Sequence, residues 1–382
     1  MTKLGVLFSV LGVGAGCIPA FAQKQLPNII VMLSDDQGWG DLGFTGNTFV
    51  QTPNIDRIAH EGTIWENFYV CPVSSPTRAE FLTGRYHVRS GVNSTTGGGE
   101  RFNLGEKTIA EYFREAGYAT SLFGKWHSGT QYPYHPNARG FEEFYGFCSG
   151  HWGNYWNPVL EHNGEIISGE GFIIDDLTDK ALDYIRDHKE HPFFMFLSYN
   201  TPHSPMQVPD SWWNRVKDRT LSQRATFPEQ EDTTFTKAAL ALAENLDWNI
   251  GRVLSLLHSL DLEQETIVIY FSDNGPNSFR WNGGMKGRKG STDEGGVRSP
   301  FCIRWPGHIR KGAVETQLSG AIDLIPTLLG LAGIEYTPLR KLDGIDWGQR
   351  LLDEKAPAID RVLYSYWGGK TSVLSFVIDL AI

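Results

Sequence analysis

Two pairs of oxygen-bearing side chains lie far apart in the sequence, each directly after an apolar run. Asp35 and Asp36 form the first pair, and Asp273 and Asn274 form the second. Adjacent carboxylates repel each other in a partly buried place, so they stay ionised where a cation lies between them. Carboxylate and amide oxygens favour calcium or magnesium over zinc, and calcium is favoured outside the cytoplasm. Each pair alone is also a common turn sequence, but together the four residues predict a site for a divalent cation.

Basic side chains could surround such a cation with positive charge. Lys125 and His127 follow one apolar run, His203 follows another, and a further lysine comes from the glycine-rich segment Gly283–Gly296. In a protein of net charge -10, a local positive pocket of this kind would bind an oxyanion. Taken singly, each residue would be a packing residue or a solvated surface charge, so the prediction depends on their convergence.

A serine stands where a helix is expected to begin. Ser75 could cap that helix, with Pro76 in its first turn. A side chain such as Ser74 would then face the positive end of the helix, which helps a nucleophile to carry negative charge. Arg78, one turn further on, could hold the nucleophile or its anion through paired hydrogen bonds. The alternative is a capped helix with a buried arginine and no chemistry.

Short apolar runs alternate with helical segments along the chain. The predicted strands are Asn28–Ser34, Ala119–Phe123, Pro192–Tyr199 and Thr266–Ser272. The predicted helices are Asn54–Glu61, Thr108–Ala116, Leu177–Lys189, Phe235–Leu260 and Asp323–Ala332. The pattern is typical of a doubly wound α/β fold, in which ligands bind beyond the carboxyl ends of the strands. The candidate residues follow these strands, so we expect them to meet at one edge of the sheet.

Composition and charge exclude several classes of protein. The 382 residues are enough for one large domain with a smaller appendage, and 41% hydrophobic against 20% charged residues excludes general disorder. With 34 basic and 44 acidic residues, no broad basic face is available, so no nucleic-acid partner is expected. No apolar run beyond the N-terminal segment is long enough to span a bilayer, so no stable membrane insertion is expected.

The N-terminal segment predicts export. Lys3, the apolar run Leu4–Val13 and the small-residue triplet Ala20–Ala22 indicate a secretory signal peptide over residues 1–22. Glycines and a proline within it disfavour an uncleaved anchor helix, and a lipid on Cys17 is disfavoured because no branched apolar residue stands ahead of it. We therefore expect a periplasmic or extracellular protein. The cysteines that remain after cleavage allow at most one disulfide: Cys71, Cys148 and Cys302.

The segment around Ser74 resembles the signature of the sulfatase family, which belongs to the alkaline-phosphatase superfamily. The family pattern is Cys or Ser, any residue, Pro, any residue, Arg, three residues, then Leu-Thr-Gly-Arg. It is met here by Ser74, Pro76, Arg78, Leu82, Thr83, Gly84 and Arg85. The resemblance covers roughly residues 25–345 and continues through Asp35–Gly38, Thr52–Asp56, Gly124–His127, Pro202–His203, Ser272–Gly275, Lys289–Ser291 and Glu294–Arg298.

This resemblance implies a fold and a reactive group. The fold would be a large mixed, mostly parallel sheet sandwiched by helices, as in alkaline phosphatase. Ser74 would be oxidised after translation to formylglycine by a serine-type sulfatase maturase, and the hydrated aldehyde would attack the sulfur of a sulfate ester. Cys71 lies three residues too early to be the reactive residue and is expected to pack.

The same resemblance implies the roles of the other residues. One calcium ion would be held by Asp35, Asp36, Asp273, Asn274 and the group at position 74. Arg78 and Lys125 would fix the formylglycine hydroxyls, and His127 would accept a proton from one of them. Lys289 and His203 would bind the ester, and one of them would protonate the leaving oxygen. Lys286 is a rival for the lysine role, but Lys289 fits the family spacing better.

The predicted domains are a signal peptide at 1–22, a catalytic domain at 23–345 and the beginning of a C-terminal subdomain at 346–382. Family members usually continue into a small antiparallel C-terminal sheet. Here Tyr364–Lys370 begins as that region should, but Ser372–Ile382 is an apolar end with no turn or helix signal. We therefore expect that subdomain to be largely missing, as in a truncated or frameshifted gene product.

The leading hypothesis is hydrolysis of a sulfate monoester on a carbohydrate, with the aromatic loop His151–Trp156 contacting the substrate. An alternative is a phosphodiesterase or phosphonate hydrolase of the same superfamily that uses unmodified Ser74. Phosphatase members commonly hold two metals with extra histidines, whereas the sequence offers one oxygen-rich set. A third possibility is an inactive secreted glycan-binding pseudo-enzyme.

Overall fold

A ten-stranded sheet lies at the centre of the computed structural model, which describes residues 1–2 and 26–375. The strands are β1 Asn28–Ser34, β2 Thr63–Trp65, β3 Phe68–Tyr69, β4 Ala119–Lys125, β5 Glu143–Phe147, β6 Val159–His162, β7 Glu165–Ser168, β8 Phe193–Ser198, β9 Thr266–Ser272, β10 Phe301–Arg304, β11 Ala313–Glu315, β12 Ser319–Gly320, β13 Val362–Trp367 and β14 Lys370–Ser375. The order across the large sheet is β11-β2-β10-β9-β1-β8-β4-β5-β6-β7. The five central strands, β9 to β5, are parallel, and antiparallel strands flank them on both sides.

Helices cover both faces of this sheet. They are α1 Pro53–Glu61, α2 Ser74–Thr83, α3 His87–Ser90, α4 Ile109–Glu115, α5 Ile173–Asp187, α6 Asp210–Val216, α7 Thr233–Ser259, α8 Glu294–Val297, α9 Leu324–Ala332 and α10 Gly348–Leu352. Residues from α2, α4 and α9 pack in one hydrophobic core, and residues from α1, α5 and α7 pack in the other. This arrangement confirms the predicted mixed, mostly parallel α/β fold.

The first strand shows why the sheet needs helices on both sides. Ile29, Val31 and Leu33 belong to one core, whereas Ile30 and Met32 belong to the other. Successive strand residues point to opposite faces, so an uninterrupted apolar strand is stable only when both faces are covered. The other parallel strands are also almost entirely buried.

Each of the four predicted strands and five predicted helices is present, with small changes at the ends. The largest change is in α5, which begins at Ile173 rather than Leu177 because Ile173 and Ile174 are buried in the core. The flanking strands β2, β10 and β11 were not predicted. They have only three, four and three residues, too few for a periodic pattern.

The register of the parallel strands brings the predicted site residues together. Ser34 at the end of β1 pairs with Ser272 at the end of β9. Ser198 of β8 pairs with Leu33 on one side and with Gly124 of β4 on the other. The loops that follow these four strand ends therefore leave the sheet at one edge. Gly124 has a positive φ of 111°, and a Cβ there would lie 2.0 Å from the Ser198 carbonyl oxygen, so this close approach requires glycine.

Helix α2 begins at Ser74, but Ser75 does not cap it. The N-cap residue is Val73, without a side-chain cap bond, and the Ser75 hydroxyl donates instead to the Ser94 carbonyl at 2.9 Å. The Thr77 hydroxyl donates to the Asp273 carbonyl at 2.6 Å, which attaches the helix to the end of β9. Gly84 ends the helix in a left-handed conformation with φ 65°, as expected for a helix C-terminus.

The C-terminal region contains a β-hairpin, and Ser372–Ser375, where no turn or helix signal was identified, form part of its second strand. Strands β13 and β14 pair antiparallel from Val362↔Ser375 to Trp367↔Lys370. Gly368 and Gly369 connect them, with φ of 57° and 78°, which is the geometry of a two-residue hairpin turn. The small antiparallel C-terminal sheet is thus present as two strands.

Three further predictions concern the N-terminal segment, membrane insertion and the cysteines. The predicted signal peptide lies outside the described residues apart from Met1 and Thr2. No helix within the described ranges is long and apolar enough to cross a membrane. Cys71, Cys148 and Cys302 are all buried and unpaired, so these three cysteines form no disulfide.

Candidate active site

Four oxygen-bearing side chains meet at the carboxyl ends of β1 and β9. Asp35, Asp36, Asp273 and Asn274 are each no more than 1% exposed. The Asp273 Oδ1 atom accepts the Asp36 backbone N–H at 3.2 Å, and the Asn274 amide nitrogen donates to Asp36 Oδ1 at 2.8 Å. The two pairs are more than 230 residues apart in sequence, and the strand register alone brings them together.

Three protein cations pair with the three carboxylates. Lys125 Nζ lies 2.7 Å from Asp35 Oδ2, and Lys289 Nζ lies 2.6 Å from Asp36 Oδ1. Arg78 contacts Asp273 Oδ2 at 3.0 Å, with both side chains fully buried. The sequence argument that a metal must separate the carboxylates was therefore incomplete, because protein cations already balance three negative charges.

The donor set nevertheless fits a hard divalent cation. It consists of carboxylate and amide oxygens, the ligands that calcium and magnesium prefer. Burial and then the charge of Asp35 raise the pKa of Asp273. Burial also acts to raise the pKa of Asp35, but Lys125 and His203 outweigh it and hold that pKa well below its usual value. A carboxyl that is hard to ionise beside ionised neighbours indicates that further positive charge would be favourable here.

Ser74 lies beside this donor set at the first residue of α2. Its hydroxyl is 3.1 Å from Asp35 Oδ1 and 3.3 Å from Asn274 Oδ1, and Lys125 Nζ lies 3.4 Å from it. The side chain is 2% exposed. A group at this position therefore meets two candidate metal ligands, a lysine ammonium and the positive end of a helix.

Arg78 contacts the metal-ligand set rather than Ser74. Besides Asp273, its guanidinium donates to the Lys125 carbonyl at 3.1 Å and to the Ser198 hydroxyl. Its Nε atom is buried with no hydrogen-bond partner. The arginine thus joins the ends of β9, β4 and β8 behind the serine.

His127 carries a buried acceptor with no partner. Its Nε2 atom lies 2.9 Å from the Thr95 carbonyl oxygen, so Nε2 must carry the hydrogen. The Nδ1 atom is buried and has no hydrogen-bond partner. Burial, and then the charge of Lys125, hold the pKa of His127 well below its usual value, so the ring is neutral and Nδ1 can accept a proton.

His203 and Lys289 approach the same carboxylate from the cavity side. The His203 Nδ1–H donates to the Ser204 carbonyl at 2.7 Å, which leaves Nε2 facing Asp36 Oδ2 at 3.5 Å. Lys289 is 26% exposed, and Asp36 and Asp35 together raise its pKa although burial acts to lower it. Lys286, the rival lysine, instead lies on the surface and pairs with Asp293 at 3.0 Å.

Two of the predicted site residues have a strained backbone conformation. Asp36 has φ 64° and His127 has φ 59°, a left-handed conformation that costs about 1–3 kcal/mol for residues other than glycine. Strain of this kind persists where the surrounding structure holds a side chain in place. Two predicted site residues therefore carry a conformational cost consistent with a functional role.

A cavity of about 450 Å³ opens onto these side chains. Its lining comprises Val73, Ser74, Thr95, Thr96, His127, Ser149, Gly150, His151, His203, Lys289 and Trp367. A larger cavity of about 730 Å³ lies between α5 and the β5–β7 strands, and none of the predicted site residues lines it. The smaller cavity is therefore the candidate active site.

The predicted aromatic loop is only partly at this cavity. His151 lines it, but Trp152 stacks on Phe147 with ring centroids 5.1 Å apart, and Trp156 packs near Phe172 at 5.5 Å. Trp367, which the C-terminal hairpin brings to the cavity, was not predicted as a site residue. Its position directly before Gly368 and Gly369 marks a hairpin turn, but that signal does not show what the turn approaches.

Glu80 on the buried side of α2 gives a testable dependence of stability on pH. Burial raises its pKa to about 8, from an ordinary value of 4.5, although it accepts the His87 backbone N–H. The folded protein therefore keeps a proton that the unfolded chain releases near its ordinary pKa. We expect the stability from this group to be complete below about pH 4.5 and to fall by a few kcal/mol as the pH rises through 8.

Urea denaturation at pH 5.5 and 8.5 measures this effect. Glu80→Gln keeps a neutral acceptor for the His87 N–H, so its loss of stability between these pH values should be smaller than in the unsubstituted protein. Glu190→Gln is the control, because Glu190 is 79% exposed, and it should leave the pH dependence unchanged. Equal losses for Glu80→Gln and the unsubstituted protein would show that Glu80 is ionised in the fold.

Comparisons with known proteins agree on one family. The family described as Sulfatase matches residues 27–334. N-acetylgalactosamine-6-sulfatase of Homo sapiens is 32% identical over 392 residues, which cover 94% of this chain and 70% of that protein. The solved structure of Ps i-CgsB with k-i-k-neocarrahexaose has a TM-score of 0.78 and 30% identity, covering 91% of this chain and 82% of the other. Phosphonate monoester hydrolase of Agrobacterium radiobacter, at 19% identity and a TM-score of 0.67, covers 89% of this chain and 80% of its own and shares the fold.

Proposed function

This chain belongs to the sulfatase family and is a sulfuric ester hydrolase, and from that premise we propose that it hydrolyses the sulfate monoester of a carbohydrate. The reactive group is a formylglycine derived from Ser74. One calcium ion would be held by Asp35, Asp36, Asp273 and Asn274, beside the group at position 74. The remaining residues of the site hold the ester in place and donate a proton to it.

One observation carries this proposal: a buried serine lies at a helix N-terminus within hydrogen-bonding distance of the metal-ligand set. Its hydroxyl is 3.1 Å from Asp35 and 3.4 Å from Lys125, and it lines a cavity whose other walls carry His127, His203 and Lys289. A serine that served only to start the helix would need no such neighbours. The hydrated aldehyde of formylglycine supplies a hydroxyl nucleophile, and a bound calcium ion supplies Lewis-acid polarisation of oxygen atoms.

Lys125 orients the group at position 74. Its ammonium lies between Asp35 and the Ser74 hydroxyl, so it donates to an oxygen at position 74 while it neutralises a candidate metal ligand. Arg78 holds the Lys125 carbonyl and the Asp273 carboxylate. We therefore assign Arg78 a positioning role and Lys125 direct contact with the reactive group.

His127 is placed to remove a proton at the reactive position. Its Nδ1 atom is unprotonated and has no partner in the described structure, and the ring lines the same cavity as Ser74. A positioned general base of this kind contributes about 10²–10⁴ in rate. The Thr95 carbonyl fixes the tautomer by accepting the Nε2 hydrogen.

His203 and Lys289 are placed to act on the leaving oxygen. Both line the cavity and both face Asp36. When a sulfate monoester breaks, negative charge develops mainly on the leaving oxygen, so a proton donor at that oxygen accelerates the step. Either residue can donate, and each also attracts the ester sulfate.

The charges of the site suit a sulfate group. Asp35, Asp36 and Asp273 balance Arg78, Lys125 and Lys289, so the set is close to neutral without a metal. One divalent cation would add two positive charges, which matches the dianionic sulfate that the reaction releases. This local balance would hold in a protein whose net charge is -10.

A carbohydrate is the proposed carrier of the sulfate for two reasons. The relatives include a protein named for N-acetylgalactosamine-6-sulfate and a structure solved with a neocarrahexaose. The cavity wall is rich in hydroxyl and imidazole groups that can bind sugar hydroxyls.

We further propose that the protein is exported to the periplasm or the extracellular space, where the signal peptide at 1–22 would direct it.

Mass spectrometry of the peptide that contains Ser74, isolated from the native host, tests the proposed nucleophile. Formylglycine is lighter than serine by two hydrogen atoms, so the conversion is directly visible. We expect a converted fraction in a cell that carries a serine-type sulfatase maturase and none in a cell without one. Turnover of sulfate esters should follow the converted fraction, and full turnover by unconverted serine would contradict the proposal.

A substrate panel separates the remaining alternatives. It contains N-acetylgalactosamine 6-sulfate, galactose 6-sulfate, a carrageenan oligosaccharide, and matched phosphate and phosphonate esters. We expect the converted protein to release sulfate from at least one glycan faster than it cleaves any phosphate or phosphonate. Preference for phosphorus esters by unmodified protein would favour the phosphonate-hydrolase alternative, and glycan binding without sulfate release would favour a pseudo-enzyme.

A further inference from the structure

The hairpin of β13 and β14 brings one indole ring to the active-site cavity. Trp367 is the last residue of β13 and precedes the Gly368–Gly369 turn. The other residues that line the cavity are small, hydroxyl-bearing, imidazole or ammonium side chains, apart from Val73. Among the described lining residues, Trp367 therefore offers the largest apolar surface.

The hairpin is attached to the segment that follows the reactive helix. The Tyr364 backbone N–H donates to the Tyr86 hydroxyl at 3.3 Å, and the Tyr366 carbonyl lies 3.1 Å from His87 Nε2. On the hairpin's inner face, Leu363 packs in a small buried cluster with Leu318 and Ile322. These contacts fix the turn relative to α2, which carries Ser74 at its other end.

The attachment continues at the base of the hairpin. Arg361, directly before β13, contacts Asp323 Oδ2 at 2.6 Å, and both side chains are at most 9% exposed. A buried ion pair at one end and the His87 contact near the other hold β13 along its length. The position of Trp367 is therefore set by packing rather than by a free loop.

The side chain of Trp367 is available for contact with a ligand. It is partly exposed, and no ring contact or hydrogen bond joins its side chain to any other residue in the ranges 1–2 and 26–375. By contrast, Trp152 stacks on Phe147, and Trp126 is buried among aromatic residues. An indole that is held by its backbone and makes no aromatic or cation–π contact has apolar ring surface available to a ligand.

We propose that Trp367 is the residue on which the sugar ring of the substrate stacks, which makes it a specificity determinant of the site. The proposal rests on the function given above, since it concerns the carrier of the sulfate. The sulfate lies toward Lys289 and His203, and the adjoining sugar presents the apolar face of its ring to the indole. The indole N–H can in addition donate to a sugar hydroxyl.

The test compares two ligands that differ in whether they reach the indole. Inorganic sulfate, used as a competitive inhibitor, occupies the anion-binding part of the site alone. The sulfated glycan that the panel shows to be turned over fastest occupies both parts. We expect Trp367→Ala to raise KM for the glycan about 10-fold, with kcat within a few-fold and the inhibition constant of sulfate unchanged.

Two further variants control this measurement. Trp367→Phe keeps an aromatic face and should recover most of the lost affinity. Trp248→Ala removes an indole that is 44% exposed, packs against Trp212 and does not line the active-site cavity, and it should leave both constants unchanged. Equal changes in KM and in the sulfate inhibition constant for Trp367→Ala, or no change in KM, would overturn the proposal. Absence of glycan turnover by the unsubstituted, converted protein would instead contradict the proposed function.

Discussion

Replacing Ser74 by alanine is expected to reduce kcat/KM for the sulfated substrate by a factor on the order of 10⁴–10⁶, the loss typical of removing a covalent nucleophile. Alanine offers no oxygen at position 74 and no atom that a maturase can oxidise. The surrounding charges remain paired with each other, so the fold should survive the substitution. The measurement is steady-state sulfate release by protein produced in the native host.

Ser75→Ala is the matched control, because Ser75 is adjacent, equally buried and also a serine. Its hydroxyl donates to the Ser94 carbonyl and does not contact the donor set. We expect a loss of about 1 kcal/mol in stability from the missing hydrogen bond and activity within a few-fold of the unsubstituted protein. If Ser74→Ala kept more than about a hundredth of the activity, the loss would be much smaller than the removal of a nucleophile causes. That result would show that the nucleophile does not derive from Ser74.

The sequence predicted the arrangement of the site because the fold obeys a strict geometric rule. Four apolar runs were identified as parallel strands, and side chains that follow the carboxyl ends of such strands must meet at one edge. The pairing of Ser34 with Ser272 places Asp35 next to Asp273. The partners of each carboxylate could not be predicted, since the cations come from separate loops whose paths depend on packing.

The parts that sequence missed share one property: they depend on long-range contacts of short segments. Strand β10 has four residues and is a strand because β9 and β2 flank it. Trp152 had the residue type for sugar binding, but Phe147 covers its ring. Trp367 stands before a Gly-Gly turn, but its place at the cavity follows from the attachment of the hairpin to Tyr86 and His87.

Charge balance explains how the site can fold before it binds a metal. Three carboxylates and three protein cations are paired at 2.6–3.0 Å, so burial does not leave an isolated charge, which would cost several kcal/mol. The raised pKa of Asp273 shows that this balance is incomplete. Calcium would therefore add stability to a site that is already assembled, and it should not be required for folding.

Asp35→Asn is accordingly expected to remove the stabilisation by calcium and to lower kcat/KM on the order of 10³-fold, since a metal supplies several kcal/mol of charge stabilisation. In the unsubstituted protein, calcium at 100 times its dissociation constant should add about 2.7 kcal/mol, a rise of a few degrees in Tm. The substitution also leaves the buried Lys125 ammonium without its partner, which costs about 3–5 kcal/mol on its own. Thermal denaturation with and without calcium separates these two effects.

Glu106→Gln supplies the control for the second effect, because it breaks a buried ion pair outside the donor set. The Glu106 and Arg85 side chains are 2% and 8% exposed, with 3.1 Å between Glu106 Oε2 and Arg85 Nε, so this variant should be destabilised and yet keep the full calcium-dependent rise in Tm. A calcium response that persisted in Asp35→Asn would show that Asp35 is not a ligand.

The same titration with magnesium discriminates between the two cations: calcium accepts six to eight oxygen ligands in flexible geometry, whereas magnesium requires a near-ideal octahedron. A site built from rigid strand ends and three charged partners should respond more strongly to calcium, and a protein that responded to neither ion would require a reaction that Lys125, Arg78 and Lys289 support without a metal.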